Sequence, residues 1–299
     1  MKYAYYPGCS LHATGIEYNL SARAVAKHLG IELWEIPEWN CCGASAAHNT
    51  NHLLALALPA RNLAIAEKEG LDVVVPCAAC FSRLKATAKA VRESAATRQT
   101  IENIIEMNYS ASNQVKALLD VIVTDVGLDS VKEKVKRPLT NLKVAAYYGC
   151  LLVRPPQLTE FDDPENPTTM DKLMEALGGT AVDWPYKTEC CGAAHSTTKP
   201  EIGLKMINDI LYHAQLAGAE CIVTACPLCL LNLDMRQKEV EQRYGIKYNL
   251  PIFYFTELVG LAMGYAPKEL GIERHFVDAK TLINEKDLLR HPTTRREEA

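Results

Sequence analysis

The chain carries a duplicated pattern of ten cysteines, and this pattern constrains its fold more than any other feature. Each half has one isolated cysteine, one adjacent Cys-Cys pair and one Cys-x-x-Cys pair. In chain order they are Cys9, Cys41, Cys42, Cys77 and Cys80, then Cys150, Cys190, Cys191, Cys226 and Cys229. Thirty-four residues separate the two pairs in both halves. A repeat of this kind predicts a repeated structural unit.

The residues around the cysteines repeat as well. Tyr-Tyr-Pro-Gly precedes Cys9, Tyr-Tyr-Gly precedes Cys150, and Cys-Cys-Gly-Ala occurs in both halves. Cys221 lies outside the pattern, since the position 149 residues earlier is Asp72. Free cysteine is often buried, so Cys221 is predicted to be a core thiol.

The length of 299 residues fits two domains. With 48% hydrophobic and 23% charged residues, each half can bury a core of its own. We predict a first domain over residues 1–140 and a second over 141–299, with a linker near 130–141. The charged tail, residues 291–299, is predicted to be mobile.

Charge and hydropathy argue against several classes of protein. A net charge of -4 and a pI near 6.1 leave no large basic surface, so no nucleic-acid partner is expected. Pro7 and Gly8 interrupt the N-terminal apolar run, and a cytoplasmic location is expected. The apolar stretch 251–267 contains Glu257 and is too short for a membrane span, so it predicts a buried strand followed by a helix.

Short apolar strands alternate with helical patterns along both halves. Strands are predicted at 2–6, 33–36, 71–75, 142–148, 180–184 and 220–224, and helices at 17–29, 52–69, 88–136, 170–178 and 200–217. Such alternation favours an α/β fold of two pseudo-symmetric domains, each a small parallel βαβ (Rossmann-like) sheet flanked by helices. The patterned cysteines then follow strands, at the carboxyl ends where loops converge.

The number of cysteines in each half indicates which kind of metal site they could form. Clustered thiols in a reducing compartment usually indicate metal or redox chemistry. A structural zinc site takes four ligands, and so does a cubane iron-sulfur cluster. A fifth cysteine that recurs in both halves indicates either a thiol beside the ligands or an unusual iron-sulfur cluster, and its duplication favours ligation. Structural zinc sites or redox disulfides are the alternative.

Local sequence supports this ligation. An adjacent Cys-Cys in an extended strand would direct its sulfurs to opposite faces, whereas Gly43 and Gly192 allow a turn that brings both together. Each Cys-x-x-Cys precedes a predicted helix, whose N-terminal N–H groups and dipole stabilise a thiolate or an anionic cluster.

At these residues the sequence resembles the cysteine-rich CCG-domain family, as found in the catalytic B subunit of heterodisulfide reductases. The resemblance covers nearly the whole chain and implies two non-cubane 4Fe-4S clusters, one held by each set of five cysteines. It also implies that a small-molecule disulfide, such as the heterodisulfide of coenzyme M and coenzyme B, is reduced between the clusters. The implied partners are the reductase's ferredoxin-type 4Fe-4S subunit and its flavin-bearing subunit.

The sequence departs from methanogen-type members at one position. Those proteins are expected to have a histidine directly after the first cysteine of the second half, where this chain has Leu151. Candidate proton donors to a departing thiolate are His195, Lys187 and His48, with His12 as a further candidate. Arg154 and Lys199 are candidates for pairing with an anionic substrate group. For all six, a structural or solvated role is the alternative.

A second function is compatible with the same pattern. Related CCG subunits of lactate, glycerol-phosphate or succinate oxidising systems pass electrons without cleaving a disulfide. Two complete repeats and the matching length favour the disulfide reductase.

Overall fold

Two four-stranded parallel sheets form the centre of the protein. The structure, a computed structural model, describes residues 1–44 and 46–290. The first sheet comprises β1 (Lys2–Tyr5), β2 (Glu32–Glu35), β3 (Val73–Val75) and β4 (Val115–Ala117). The second sheet comprises β5 (Lys143–Tyr147), β6 (Thr180–Ala181), β7 (Cys221–Thr224) and β8 (Ile252–Tyr254). The α/β fold with two parallel sheets is therefore confirmed.

The two sheets share one topology. Their strand orders are β2-β1-β3-β4 and β6-β5-β7-β8, and every pair is parallel. The chain moves outward from β1 to β2 and then returns to the other side of β1 to form β3. This reversal leaves a crevice beyond the carboxyl ends of β1 and β3, and of β5 and β7 in the second half.

Helices cover both sheets. Those of the first half are α1 (Gly8–Leu11), α2 (Ile16–His28), α3 (Ala47–Thr50), α4 (His52–Lys68), α5 (Ala78–Glu93), α6 (Ala95–Ile105), α7 (Leu118–Asp120), which continues as a π-helix (Val121–Gly127), and α8 (Leu128–Glu133). Those of the second half are α9 (Pro156–Thr159), α10 (Thr169–Ala176), α11 (Pro200–Leu216), α12 (Pro227–Met235), α13 (Gln237–Tyr244), α14 (Phe255–Ala262), α15 (Pro267–Leu270) and α16 (Lys280–Glu285), with 3₁₀ turns at Ala193–His195 and Ile272–Arg274.

The predicted helix over 88–136 is wrong in its middle. That stretch contains the end of α5, the strand β4 and several shorter helices. The strand has only three residues, and its central Lys116 pairs with Asp125 at 2.7 Å, so no apolar run marked it. Its counterpart β8 has the sequence Ile-Phe-Tyr and begins the predicted apolar stretch 251–267. The prediction of a strand followed by a helix in that stretch is confirmed.

The halves pack through helices α2 and α14. The hydroxyls of Ser21 and Thr256 are 2.7 Å apart at this contact, and both are buried. The C-terminal segment is held to the same region, because His275 Nε2 lies 2.9 Å from Glu257 Oε1 with both side chains almost fully buried. The sheets lie on either side of the predicted boundary between residues 140 and 141, and the division into two domains stays a prediction.

Three further predictions concern Cys221, membrane-spanning helices and the C-terminal tail. Cys221 is fully buried on β7, as a core thiol should be. Within residues 1–44 and 46–290, no helix is long and apolar enough to cross a membrane. The tail over 291–299, predicted to be mobile, lies outside the described residues.

Candidate metal centre

The patterned cysteines lie at the carboxyl edges of the two sheets. Cys9 lies in α1 just after β1, and Cys77 lies between β3 and α5. The Cys-Cys pair follows β2 in a loop, and the second half repeats this placement. We name the five thiols of each half the first quintet (Cys9, Cys41, Cys42, Cys77, Cys80) and the second quintet (Cys150, Cys190, Cys191, Cys226, Cys229). Each quintet lies beside the crevice where strand order reverses.

Sulfur atoms within each quintet are in contact. Cys42 Sγ is 3.3 Å from Cys80 Sγ, and Cys191 Sγ is 3.6 Å from Cys229 Sγ. A disulfide would bring the atoms to about 2.05 Å, and all eleven cysteines, which fall within the described residues, are free. These contacts join the Cys-Cys loop to the Cys-x-x-Cys helix in both halves.

The turn predicted at the Cys-Cys-Gly motif is present in both halves. Gly43 and Gly192 adopt φ of 72° and 74°, a left-handed conformation that favours glycine. Their backbone N–H groups donate to the sulfurs of Cys41 and Cys190, in both cases at 3.4 Å. The glycine therefore shapes the loop and stabilises the first thiol of the pair.

Replacement of Gly43 by Ala is expected to destabilise the protein through the loop that carries Cys41 and Cys42. A Cβ at this position would lie 2.6 Å from the Cβ of Ala47, so α3 would have to move. Backbone strain of about 1–2 kcal/mol and overpacking of about 1–3 kcal/mol should lower the free energy of unfolding. Denaturant unfolding of the purified protein measures the loss.

Gly30 provides the matched control for this substitution. It has nearly the same φ, 73°, but no atom lies within 4 Å of its added Cβ. Gly30→Ala should therefore show the backbone cost alone. Equal losses in the two variants would contradict the proposed steric role of Gly43.

A tyrosine holds the Cys-Cys loop in each half. Tyr6 donates its hydroxyl to the carbonyl of Asn40 at 2.8 Å, and Tyr147 donates to the carbonyl of Glu189 at 2.6 Å. Each acceptor directly precedes a Cys-Cys pair. The repeated Tyr-Tyr motif therefore aligns the Cys-Cys loop with the strand end that carries the isolated cysteine.

Glycine also leaves room beside the thiols. A Cβ at Gly8 would lie 3.0 Å from Cys80 Sγ, and one at Gly149 would lie 3.2 Å from Cys229 Sγ. Both glycines have positive φ, 70° and 66°. Any larger residue would press on a cysteine sulfur, so these positions form a cradle that fits a metal-sulfur assembly.

Thiol-thiol hydrogen bonds favour a charged sulfur on one cysteine of each Cys-Cys pair, and they raise the pKa of Cys41 in the first quintet and of Cys150 and Cys191 in the second. Bonds with Cys41 and Cys80 lower the pKa of Cys42 to about 3. In the second half, bonds with Cys150 and Cys191 lower the pKa of Cys190 to about 2. The thiolate is the form that binds metal. The donor chemistry therefore suits iron or another metal that accepts soft sulfur ligands.

The two quintets meet between the halves. The hydroxyl of Tyr18 lies 3.1 Å from the carbonyl oxygen of Pro76 and 3.3 Å from that of Ala225, the residues that directly precede Cys77 and Cys226. Cys77 and Cys226 are 3% and 5% exposed. Groups bound by the two quintets would therefore face each other across a buried contact.

Lys187 is buried in an ion pair behind the second quintet. Its ammonium lies 2.9 Å from Asp171 Oδ1, and Asp171 also accepts from the hydroxyl of Tyr148 at 2.7 Å. The backbone carbonyl of Lys187 accepts from the N–H groups of Tyr148 and Gly149. These contacts anchor the turn before Cys150, and the role of Lys187 as a proton donor stays a prediction.

The candidate histidines each follow a quintet cysteine within a few residues of the sequence. His195 ends the 3₁₀ turn after Gly192, is exposed, and is among the charges that lower the pKa of Cys190. His48 is exposed in α3. His12 lies 3.2 Å from Glu35. Their proposed roles in proton transfer stay predictions.

The two candidate anion-binding residues differ in their surroundings. Arg154 donates to Pro164 O and Thr188 Oγ1 and lies 3.1 Å from Glu165. Lys199 is exposed just before α11. Arg154 is thus engaged within the protein, whereas Lys199 lies at the surface.

The arrangement of the side chains also bears on a site for a single metal ion. Across the two described ranges, no group of three or more His, Cys, Asp and Glu side chains is arranged to hold one metal ion. The features that fit a metal-sulfur assembly are the sulfur contacts, the stabilised thiolates and the glycine cradles.

Comparison with known proteins identifies the family. The model of the cysteine-rich domain CCG matches residues 3–85 and 144–234. The chain is 38% identical over 283 residues to the 8-methylmenaquinol:fumarate reductase membrane anchor subunit of Wolinella succinogenes, covering 94% of this chain and 99% of that protein. It is 30% identical to the B subunit of the ferredoxin:CoB-CoM heterodisulfide reductase of Methanosarcina mazei, covering 92% of this chain and 94% of that one.

A solved structure supports the fold. The crystal structure of a hypothetical protein from Helicobacter pylori matches with a TM-score of 0.74 at 13% identity, over 93% of this chain and 52% of that chain. This chain thus spans about half the length of that protein. The two matched ranges show that the chain carries two copies of the CCG domain. Together with the relatives, they show that this chain belongs to the cysteine-rich CCG-domain family.

Proposed function

We propose that each quintet binds one non-cubane 4Fe-4S cluster and that the protein reduces a small-molecule disulfide between them. Iron-sulfur electron transfer follows from the family, and the cluster type and the substrate are the finer proposal. Support for the clusters comes from five thiols at the carboxyl edge of each sheet, a number that neither one zinc ion nor one cubane uses.

The closeness of Cys77 and Cys226, whose preceding residues share the Tyr18 hydroxyl, carries the proposal for the reaction. Cleavage of a disulfide requires two electrons and yields two thiolates. When bound, the clusters would supply one electron each. Because the quintets face each other, both electrons can be delivered to one substrate placed between the halves.

The protein's own residues would receive and protonate the products. We propose His195, His48 and Lys187 as the groups that protonate departing thiolates, and the two exposed histidines have the better access. We propose that the ferredoxin-type 4Fe-4S subunit and the flavin-bearing subunit of a heterodisulfide reductase supply the electrons, in the cytoplasm. No nucleic-acid partner is proposed.

An anaerobic assay of the purified complex tests this proposal. Reduced viologen dye should be oxidised when a suitable disulfide is added, and Cys77→Ser or Cys226→Ser should abolish that oxidation. Cys221→Ala is the control, since Cys221 is buried on β7 outside both quintets. Failure of the wild-type complex with every disulfide in a broad panel would refute disulfide reduction.

Two observations favour a second candidate function. The Wolinella relative belongs to an 8-methylmenaquinol:fumarate reductase and has a higher identity than the Methanosarcina relative, 38% against 30%. In addition, Leu151 is 39% exposed where methanogen-type members are expected to have histidine. In this second function, the two clusters pass electrons between a quinol and a succinate- or fumarate-converting partner. Quinol oxidation coupled to fumarate, without activity on disulfides, would select this candidate.

A further inference from the structure

One tyrosine hydroxyl bridges the two halves beside their facing thiols. Tyr18, on α2, has its hydroxyl 3.1 Å from the carbonyl oxygen of Pro76 and 3.3 Å from that of Ala225. These acceptors directly precede Cys77 and Cys226. A single hydroxyl hydrogen is thus shared by the two segments that deliver the facing cysteines, one from each half.

Packing fixes the position of this hydroxyl. The Tyr18 side chain is fully buried, and its ring stacks on Tyr254 with centroids 4.0 Å apart and an interplanar angle of 11°. Phe255 contacts the same ring edge-on at 6.2 Å. Since the ring has no room to move, the hydroxyl acts as a fixed point between the two segments.

The same interface contains two natural comparisons. Tyr254 has an equally buried hydroxyl, but within the described part of the chain that hydroxyl makes no hydrogen bond. Ser21 joins α2 to α14 across the halves through Thr256 at 2.7 Å, and this bond involves neither Pro76 nor Ala225. Tyr18 therefore differs from both in touching the cysteine segments.

We propose that Tyr18 is a positioning residue that sets the separation of the two quintets and so allows two electrons to reach one substrate. This inference rests on the proposed function. Loss of the hydroxyl would free the two strand ends to shift relative to each other. Displacements of about 1 Å in a reacting assembly can cost about 10²-fold in rate, so the effect on turnover should be large.

The test compares three variants of the purified complex: Tyr18→Phe, Tyr254→Phe and Ser21→Ala. Iron content, the magnetic interaction between the two clusters in electron paramagnetic resonance, kcat and KM are measured for each. Tyr18→Phe should keep its iron, change the magnetic interaction and lower kcat at least about tenfold, with KM unchanged. The other two variants should match the wild type in iron, interaction and kcat.

Two results would overturn the inference. A Tyr18→Phe protein that matches Tyr254→Phe would show that the hydroxyl has no role. Equal changes in Tyr18→Phe and Ser21→Ala would show that the loss of any hydrogen bond between the halves has this effect, so that the Tyr18 hydroxyl has no specific role. A wild-type complex without two clusters would instead refute the proposed function, which is a distinguishable outcome.

A second substitution keeps the test decisive if Tyr18→Phe fails to take up iron. A Cβ at Gly15 would lie 3.2 Å from the Cβ of Pro227, within the second Cys-x-x-Cys segment, and 3.2 Å from the hydroxyl of Tyr254, whose ring stacks on Tyr18. Gly15→Ala should therefore displace that segment and the stacked rings by a few tenths of an ångström without removing a hydrogen bond. An unchanged magnetic interaction in Gly15→Ala would then refute the role of this spacing.

Discussion

Cys190→Ser is expected to remove the second cluster and leave the first one intact. Iron should fall from about eight to about four atoms per chain, because serine does not supply the soft thiolate that iron requires. Cys190 belongs to the second quintet, and its sulfur accepts from Gly192 at 3.4 Å. Iron analysis and electron paramagnetic resonance of the anaerobically purified protein measure the loss.

Two further variants serve as controls for Cys190→Ser. Cys41→Ser should give the mirror image, with the first signature lost and the second kept. Cys221→Ala should retain both, since Cys221 lies on β7 and belongs to neither quintet. If Cys190→Ser removed both signatures to the same extent, the two sites would not be independent.

Lys187→Met is expected to lower the free energy of unfolding by about 3–5 kcal/mol. The side chains of Lys187 and Asp171 are only 8% and 11% exposed, so removing the ammonium leaves a buried carboxylate without its counter-ion. The same network holds the turn before Cys150 through Tyr148. Denaturant unfolding monitored by circular dichroism measures the change.

Lys205→Met is the matched control. Lys205 pairs with Asp209 at 2.6 Å on α11, but its side chain is 68% exposed. Exposed pairs of this kind contribute little to stability. A loss in Lys187→Met no larger than in Lys205→Met would contradict a structural role for Lys187.

The sequence predicted the parts of the fold that repeat. Cysteine spacing indicated two halves, and apolar runs before the cysteines located the inner strands of both sheets. The missed strand β4 shows the limit of this reasoning, because a three-residue strand with Lys116 at its centre has no apolar period.

The site was predicted less completely than the fold. Sequence brought the ten thiols together in two sets, and it indicated the turns at Gly43 and Gly192. The tyrosine motif was visible, yet nothing in it showed that Tyr6 and Tyr147 hold the Cys-Cys loops. Tyr18 has no counterpart in a repeat, and its bridging bonds depend on how α2 packs against the second half.

Lys187 illustrates a different limit. Its closeness to Cys190 in sequence suggested a part in proton transfer, but the partner that buries it, Asp171, is sixteen residues away on α10. Three-dimensional packing therefore determined its surroundings, and spacing along the chain did not.

The most direct test of the two-cluster assignment is the metal content of the anaerobically purified protein. We expect about eight iron atoms and a comparable amount of acid-labile sulfide per chain, because each quintet should hold one four-iron cluster. One or two zinc ions per chain without iron or sulfide would contradict the assignment of both quintets.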